Sequence, residues 1–175
     1  MSTVKQPVTA DGRPLEIERK YLIEYPDIGW LEAFPGMEKA EITQVYFDTE
    51  EDRKLRVREW RGKDRTVYYL TRKKKITDMV RIEEEREISE KEFLEMPGKG
   101  SGARRISKTR YCLPYEGHTI EVDIFPFWDD RAIAEVELEN EDEAAALPWE
   151  LHVIREVTSE KEYTNYSLAG IYGIY

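Results

Sequence analysis

Charged and apolar residues alternate along several segments of this chain, and the charges within most of these segments share one sign. Glu135 and Glu137 stand two residues apart with an apolar residue between them. Arg56 and Arg58 are spaced in the same way. Alternation with a period of two is typical of β-strands, in which residues two apart lie on one face. The pattern therefore predicts strands with one apolar face and one charged face, on which like charges are neighbours.

The alternation divides most of the chain into strands. We predict eight of them, near Leu15–Glu24, Glu41–Asp48, Arg53–Trp60, Arg65–Lys73, Met79–Ile88, Ala103–Leu113, His118–Phe125 and Arg131–Glu139. The segments Gly62–Asp64 and Tyr115–Gly117 are short and rich in turn-forming residues, so each is expected to close a hairpin. Eight antiparallel strands in one domain predict a mainly β fold, either a sandwich or a barrel.

Helical signals are few and short. We predict three helices: one that begins at Ser89 with a capping box and ends before Pro97, one that Asn140 caps and that runs through Ala144–Ala146 to Pro148, and one in the tail from Ser159 to Ile171. The segment Pro97–Gly102 is expected to be a flexible loop. Residues 1–14 are expected to be a flexible leader, and residues 15–175 a single domain.

Composition and charge exclude several classes of function. The net charge of −10 argues against non-specific binding to nucleic acid or to anionic membranes. No apolar run approaches the roughly 18 residues that a membrane helix needs, and no signal peptide is evident, so a cytoplasmic protein is expected. The single cysteine, Cys112, can form no intramolecular disulfide and makes no zinc site with His118 and His152. The sequence does not indicate an oligomeric state.

The charged faces have two interpretations. They could be the solvated face of an ordinary antiparallel sheet. A solvated face normally intersperses both signs, however, and like charges side by side repel each other. Paired carboxylates become favourable when they bind a hard divalent cation, and paired basic side chains become favourable when they bind phosphate. A sheet closed with this face inward would form a polar tunnel suited to a metal ion and a polyphosphate.

The order of these segments resembles a known family. Glu16-Ile17-Glu18-Arg19-Lys20 has the form E-x-E-x-K, which resembles the signature of the CYTH superfamily, or triphosphate tunnel metalloenzymes. Seven further segments resemble family motifs in the same order: Leu55–Arg58, Leu70–Lys73, Arg81–Glu85, Lys108–Tyr111, Glu121–Phe125, Ala134–Leu138 and the closing segment from Glu156 to Asn165. The resemblance covers about residues 15–170, and the short single-domain bacterial branch, similar to inorganic tripolyphosphatases, is the nearest to it.

The resemblance implies an eight-stranded antiparallel closed β-barrel that forms a triphosphate tunnel, with a few peripheral helices. It implies a metal-dependent hydrolase of tripolyphosphate or nucleoside triphosphates, with Mg²⁺ or Mn²⁺ as the cofactor. The implied metal ligands are Glu16, Glu18, Asp123, Glu135 and Glu137. The implied substrate-binding residues are Lys20, Arg56, Arg58, Lys73, Lys108, Arg110 and Lys161, with Lys75 as an alternative to Lys73. Glu83 and Glu85 would line the tunnel, and the implied catalytic residues are Glu18, Lys20 and Glu137.

Other functions remain open within the same fold. A class IV adenylyl cyclase or a thiamine triphosphatase would also use a triphosphate tunnel, but each needs a pocket for the organic group, and no segment clearly supplies one. A polyphosphate-binding module without catalytic activity is the alternative of another class. Such a module would not require two acidic rows beside the basic ones.

Overall fold

The computed structural model describes residues 6–50, 54–98 and 102–173. The described strands are β1 (Leu15–Glu24), β2 (Glu38–Phe47), β3 (Leu55–Arg61), β4 (Thr66–Lys75), β5 (Val80–Ile88), β6 (Arg104–Tyr115), β7 (His118–Ile124), β8 (Arg131–Glu137) and β9 (Val153–Glu156). The described α-helices are α1 (Ile28–Ala33), α2 (Glu90–Glu95) and α3 (Asn165–Tyr172). The protein is therefore mainly β, as predicted.

The first eight strands close into an antiparallel barrel. They pair in the order β5-β4-β3-β2-β6-β7-β8-β1, and β1 closes the ring by pairing with β5 as well. Leu15–Ile17 pairs with β5, whereas Glu18–Glu24 pairs with β8. The ninth strand, β9, lies outside the ring and pairs with the later part of β1. The eight-stranded closed barrel is confirmed, because the pairing of β1 with β5 joins the two ends of this strand order.

The predicted strands and hairpins agree closely with the structure. All eight predicted strands are present, and their described ends differ from the prediction by at most three residues. The predicted start of β3, at Arg53, lies outside the described residues. Gly62 N donates to Arg65 O at 2.9 Å, which closes the β3–β4 hairpin. Between β6 and β7, Glu116 and Gly117 both have positive φ (47° and 80°), as a tight two-residue hairpin turn requires.

Two of the three predicted helices form, one of them in a shortened form. Ser89 caps α2 through a complete capping box with Glu92, as predicted. The tail contains α3, but Thr164 interrupts the predicted helix with an extended backbone (ψ 146°), so a short 3₁₀ helix at Lys161–Tyr163 precedes it. Residues 99–101 of the predicted loop lie outside the described residues.

The helix predicted through Ala144–Ala146 is wrong. Asn140 accepts a hydrogen bond from Asp142 N at 3.1 Å, which makes a local turn instead of a helix cap. The Glu143 carboxylate accepts from Glu139 N at 2.9 Å and contacts His118 at 2.5 Å, so it holds the segment against β7. Pro148 also disfavours a helical backbone in the residue before it. The segment remains irregular from residue 138 to residue 148.

One α-helix, one strand and the 3₁₀ helix at Trp149–Leu151 were not predicted. Asp27 caps the short helix α1 by accepting from Trp30 N at 3.0 Å. The strand β9 is short, and all four of its residues are exposed, so it carries no burial alternation that a sequence pattern could reveal. On the edge of β1 that pairs with β5 at Leu15–Ile17, β9 takes over as the partner from Tyr21 onward. Next to β9, Val157 N donates to Lys20 O at 2.8 Å.

Apolar side chains lie mainly on the outside of the barrel, where helices and loops cover them. A large cluster packs beneath α1 around Ile23, Leu31 and Val136. A second cluster packs beneath α2 around Val57 and Phe93. The inner face of most of the barrel is consequently left to charged side chains. No helix in the described part of the chain is long and apolar enough to cross a membrane.

One end of the barrel is apolar inside as well. Leu168 and Ala169 of α3 pack against Ile106, Phe125 and Ile133, so the last helix lies across this end. At the start of β1, residues 6–14 fold back on the strand. Leu15 N donates to Pro7 O at 2.8 Å, and Gly12 adopts the positive φ (83°) that its turn needs. The charged part of the lumen lies between these two segments.

Candidate active site

The barrel encloses a cavity of about 670 Å³ lined with charges of both signs. Its acidic lining residues from the strands are Glu16, Glu18, Glu83, Glu85, Glu121, Glu135 and Glu137. Its basic lining residues from the strands are Lys20, Arg56, Arg58, Lys73, Lys75, Arg81 and Arg110. The charged faces of the predicted strands therefore point inward, and of the two sequence interpretations the inward-facing one is confirmed.

The structure brings most of the predicted site residues to this cavity. Lys161 reaches it from the C-terminal segment, and Glu83 and Glu85 line its wall. Lys108 and Asp123 are not among the lining residues, because both side chains are fully buried and pair with each other. Their predicted roles in substrate and metal binding therefore stay predictions.

Nearly every basic side chain in the lumen contacts a carboxylate. Lys73 Nζ lies 2.7 Å from Glu16, and Lys20 Nζ lies 3.2 Å from Glu135. Arg58 donates to Glu85 at 3.1 Å. These contacts hold the basic side chains in place, and a phosphate chain of like charge to the carboxylates could take over their hydrogen bonds. Lys75 instead contacts Asp78 near the surface at 2.5 Å, which favours Lys73 as the interior residue of the two.

The most buried ion pairs form a network around Asp123. Arg110 donates to both oxygens of Asp123, at 2.7 and 2.9 Å, and Lys108 donates to the same carboxylate at 2.6 Å. Arg110 also lies 2.6 Å from Glu121 and 3.7 Å from Glu135. Arg110 therefore connects the buried pair in the wall to the carboxylates of the cavity.

Two facing carboxylates are poorly compensated. Glu18 and Glu137 are directly opposite each other on β1 and β8. Burial and the neighbouring Glu135 and Glu16 raise the pKa of Glu18 to about 8, although Arg81 lies 3.3 Å away. Burial and other lumen carboxylates, Glu121 first, raise the pKa of Glu137 to about 7. Both groups therefore bind protons readily in the absence of another cation.

Glu16 and Glu135 lie on the same inner face of β1 and β8 as Glu18 and Glu137, and these four carboxylates form the acidic row of the cavity. The charges of Glu16 and Glu135 are compensated by nearby basic side chains. Burial disfavours the charge on Glu16, but the nearby Lys73 outweighs it and lowers the pKa of Glu16 to about 2. Lys20 and Arg110 similarly outweigh burial at Glu135 and hold its pKa below the usual range. The row therefore combines two carboxylates that nearby basic side chains keep ionised, Glu16 and Glu135, with two whose charge is not fully balanced, Glu18 and Glu137.

A hard divalent cation fits this acidic row. Within residues 6–50, 54–98 and 102–173, no three carboxylates converge into a ready-made metal site. Mg²⁺ seldom needs such a cage, because it is usually bound by one or two carboxylates together with substrate phosphates. Glu18 and Glu137 provide oxygen donors, and a cation would relieve the repulsion that each of them experiences from other lumen carboxylates, such as Glu16.

Several lining residues were not predicted as part of the site. Arg81 shares a strand face with Glu83, and Glu121 shares one with Asp123, so the same alternation rule could have found both. Thr71, which donates to Glu85 at 2.8 Å, and Gln44 carry no charge that would have attracted attention. The start of α3 contributes Asn165, Tyr166 and Ser167, which only the tertiary fold brings to the lumen.

Comparison with known proteins agrees with this geometry. The family model described as the CYTH domain matches residues 14–167. The chain belongs to the CYTH family. It is 33% identical over 156 residues to an inorganic triphosphatase of Acetivibrio thermocellus, covering 87% of this chain and 92% of the relative.

Solved structures resemble this CYTH protein over most of its length. The structure described as the inorganic triphosphatase NE1496 has a TM-score of 0.51 and 27% identity, covering 94% of this chain and 97% of the other. A conserved hypothetical protein from Pyrococcus furiosus has a TM-score of 0.54 and 25% identity, covering 73% of this chain and 80% of the other.

Proposed function

We propose that this CYTH protein is a metal-dependent triphosphatase that hydrolyses inorganic tripolyphosphate, nucleoside triphosphates or both. The observation that carries the proposal is the enclosed lumen, in which basic side chains from β1, β3, β4 and β6 surround a cavity beside a row of carboxylates. The inorganic triphosphatases among the relatives support the same reaction. A simple polyanion-binding module would gain nothing from the undercompensated pair Glu18 and Glu137.

The basic residues would bind and orient the phosphate chain. Arg56, Arg58 and Arg110 present guanidinium groups, which can bind phosphate oxygens through paired hydrogen bonds. Lys20 and Lys73 would add point charges, and Lys161 would contribute one from the C-terminal segment. Hydrolysis of a phosphoanhydride depends mainly on such positioning and charge compensation.

The acidic row would hold the metal ion. Glu18 and Glu137 would be its main ligands, with Glu16 and Glu135 beside them. When bound, Mg²⁺ or Mn²⁺ would supply charge stabilisation on the phosphate oxygens that the basic residues leave uncompensated. Lys20, which contacts Glu135 at 3.2 Å, would keep that carboxylate oriented towards the row.

Substitution Arg58→Ala should weaken substrate binding. The side chain is 13% exposed and contacts only Glu85 among the lumen carboxylates within salt-bridge distance, so its loss should spare the fold. Because a hydrogen bond to a charged group contributes about 1.5–3 kcal/mol, we expect KM to rise by about tenfold or more. Arg61→Ala, on the same strand but exposed and facing outward, is the matched control. Steady-state kinetics with unchanged KM and kcat in Arg58→Ala would remove this residue from the site.

Product analysis tests the proposed reaction. Tripolyphosphate, ATP and thiamine triphosphate are offered in parallel with Mg²⁺ or Mn²⁺, and the products are separated by ion-exchange chromatography. We expect phosphate and pyrophosphate from tripolyphosphate, and no product when EDTA is present. Cyclic AMP and pyrophosphate from ATP would assign the chain to the cyclases instead, and no product from any substrate would favour a binding module.

A further inference from the structure

Gln44 is a buried polar residue that the proposed site has not yet used. Its side chain lies on the inner face of β2, lines the cavity and is only 1% exposed. Its amide oxygen Oε1 has no hydrogen-bond partner. Leaving a buried acceptor unpaired costs about 1–3 kcal/mol, and a leucine at this position would avoid that cost. An unpaired amide inside a lumen is therefore expected where a ligand completes its hydrogen bonds.

Two unpaired donors lie next to this acceptor. Gln44 is directly opposite Arg58 on β3, and Arg56 follows on the same inner face. The Nε atoms of both arginines are also buried without a partner. Among the described residues, only one other buried side-chain atom is unpaired, Nε of Arg19, which lies on the outer face of β1. The unpaired groups are thus concentrated on the β2–β3 wall of the cavity.

This arrangement matches a particular ligand chemistry. The guanidinium Nε–H groups are donors and cannot accept hydrogen bonds, so their ligand must supply acceptors, such as phosphate oxygens. The Gln44 amide oxygen can accept only from a donor, which a fully ionised phosphate chain does not have. The wall therefore suits phosphate oxygens with one O–H group beside them, either the protonated oxygen of a terminal phosphate or a water molecule held against it.

We propose that Gln44 binds this O–H group and, with Arg56 and Arg58, forms the subsite for the terminal phosphate of the substrate. The proposal rests on the proposed triphosphatase function and adds a residue and an orientation to it. If the O–H group belongs to the substrate, the subsite distinguishes the end of the chain from its middle, because internal phosphates carry no such proton. The end of the triphosphate that is hydrolysed would lie against the β2–β3 wall.

The substitution Gln44→Leu tests this role by separating activity from stability. Removing an unpaired buried amide should raise Tm by about 2–10 °C, while turnover of tripolyphosphate should fall by about tenfold. A residue with a purely structural role would lose stability and activity together. Gln44→Met replaces Gln44→Leu if the branched side chain prevents folding. Thr43→Val, on the outer face of the same strand, is the matched control and should keep wild-type kinetics.

The kinetic constants and a binding measurement distinguish the two sources of the O–H group. If it belongs to the substrate, Gln44→Leu should raise KM and weaken binding of a non-hydrolysable imidotriphosphate, measured by calorimetry, by about tenfold. If it belongs to water, kcat should fall while the Kd of the analogue stays unchanged. Wild-type kcat, KM and Kd in the variant would overturn the proposal, as would a fall in Tm that accounts for the lost activity. If the wild-type protein hydrolyses none of the triphosphates, the proposed function fails, and the Kd comparison alone decides whether Gln44 binds the ligand.

Discussion

Glu18→Gln is expected to abolish triphosphate hydrolysis while leaving the fold intact. The pKa of Glu18 is raised to about 8, so its side chain is largely a neutral carboxylic acid near pH 7 when no metal is bound. Glutamine has nearly the same shape and is also neutral, and we therefore expect an unchanged Tm. A neutral amide is a much weaker ligand for Mg²⁺ than a carboxylate, and substitutions of groups that merely support metal ligands already cost about 10–100-fold. We expect kcat to fall by at least about 100-fold.

The same reasoning applies to the facing residue. Glu137→Gln should behave like Glu18→Gln, since the pKa of Glu137 is raised to about 7. Glu24→Gln, an exposed carboxylate on the same strand as Glu18, serves as the control for a charge change outside the lumen. Thermal unfolding and steady-state kinetics with added Mg²⁺ measure both effects. Wild-type turnover in Glu18→Gln and Glu137→Gln would refute the assignment of this pair as metal ligands.

Asp123→Ala is expected to have the largest effect on stability. The Asp123 carboxylate is fully buried and is bound by both Lys108 and Arg110. Removing it leaves two buried cations short of a counter-ion, and loss of one member of a buried ion pair typically costs about 3–5 kcal/mol. For a chain of this size we expect Tm to fall by roughly 6–20 °C.

A double variant shows whether the cost comes from the unpaired charge. Lys108→Met combined with Asp123→Leu removes the pair together and fills the space with apolar atoms, so it should recover much of the lost Tm. A double variant as unstable as Asp123→Ala would mean that the carboxylate acts chiefly through Arg110. A wild-type Tm in Asp123→Ala would contradict the structural role of the whole network.

The barrel could be predicted from the sequence because most of its strands show an alternation of charged and apolar residues. Charged residues at Glu16, Glu18 and Lys20 fix which face of β1 is polar, and the same rule fixes the other strands. The order of the motifs then indicates closure into a tunnel. Alternation alone cannot distinguish a lumen from a solvated face, since both give the same period, so that choice required the resemblance or the tertiary structure.

Other features depend on long-range contacts that no local pattern encodes. Sequence spacing placed Lys108 and Asp123 on the lumen side of their strands, but in the folded barrel both side chains are buried in an ion-pair network with Arg110. The short strand β9 is exposed throughout and forms only because β1 offers it an edge. Gln44 escaped notice because its importance lies in a missing hydrogen bond, which only coordinates can reveal.

The most direct test of the tunnel as a triphosphatase site is a crystal structure with Mn²⁺ and a non-hydrolysable imidotriphosphate, in which anomalous scattering locates the metal. We expect a manganese peak beside Glu18 and Glu137, and phosphate groups along Arg56, Arg58 and Arg110 inside the barrel. A metal ion and a triphosphate bound only outside the lumen, with the internal ion pairs of Lys73 and Arg110 unchanged, would contradict the account.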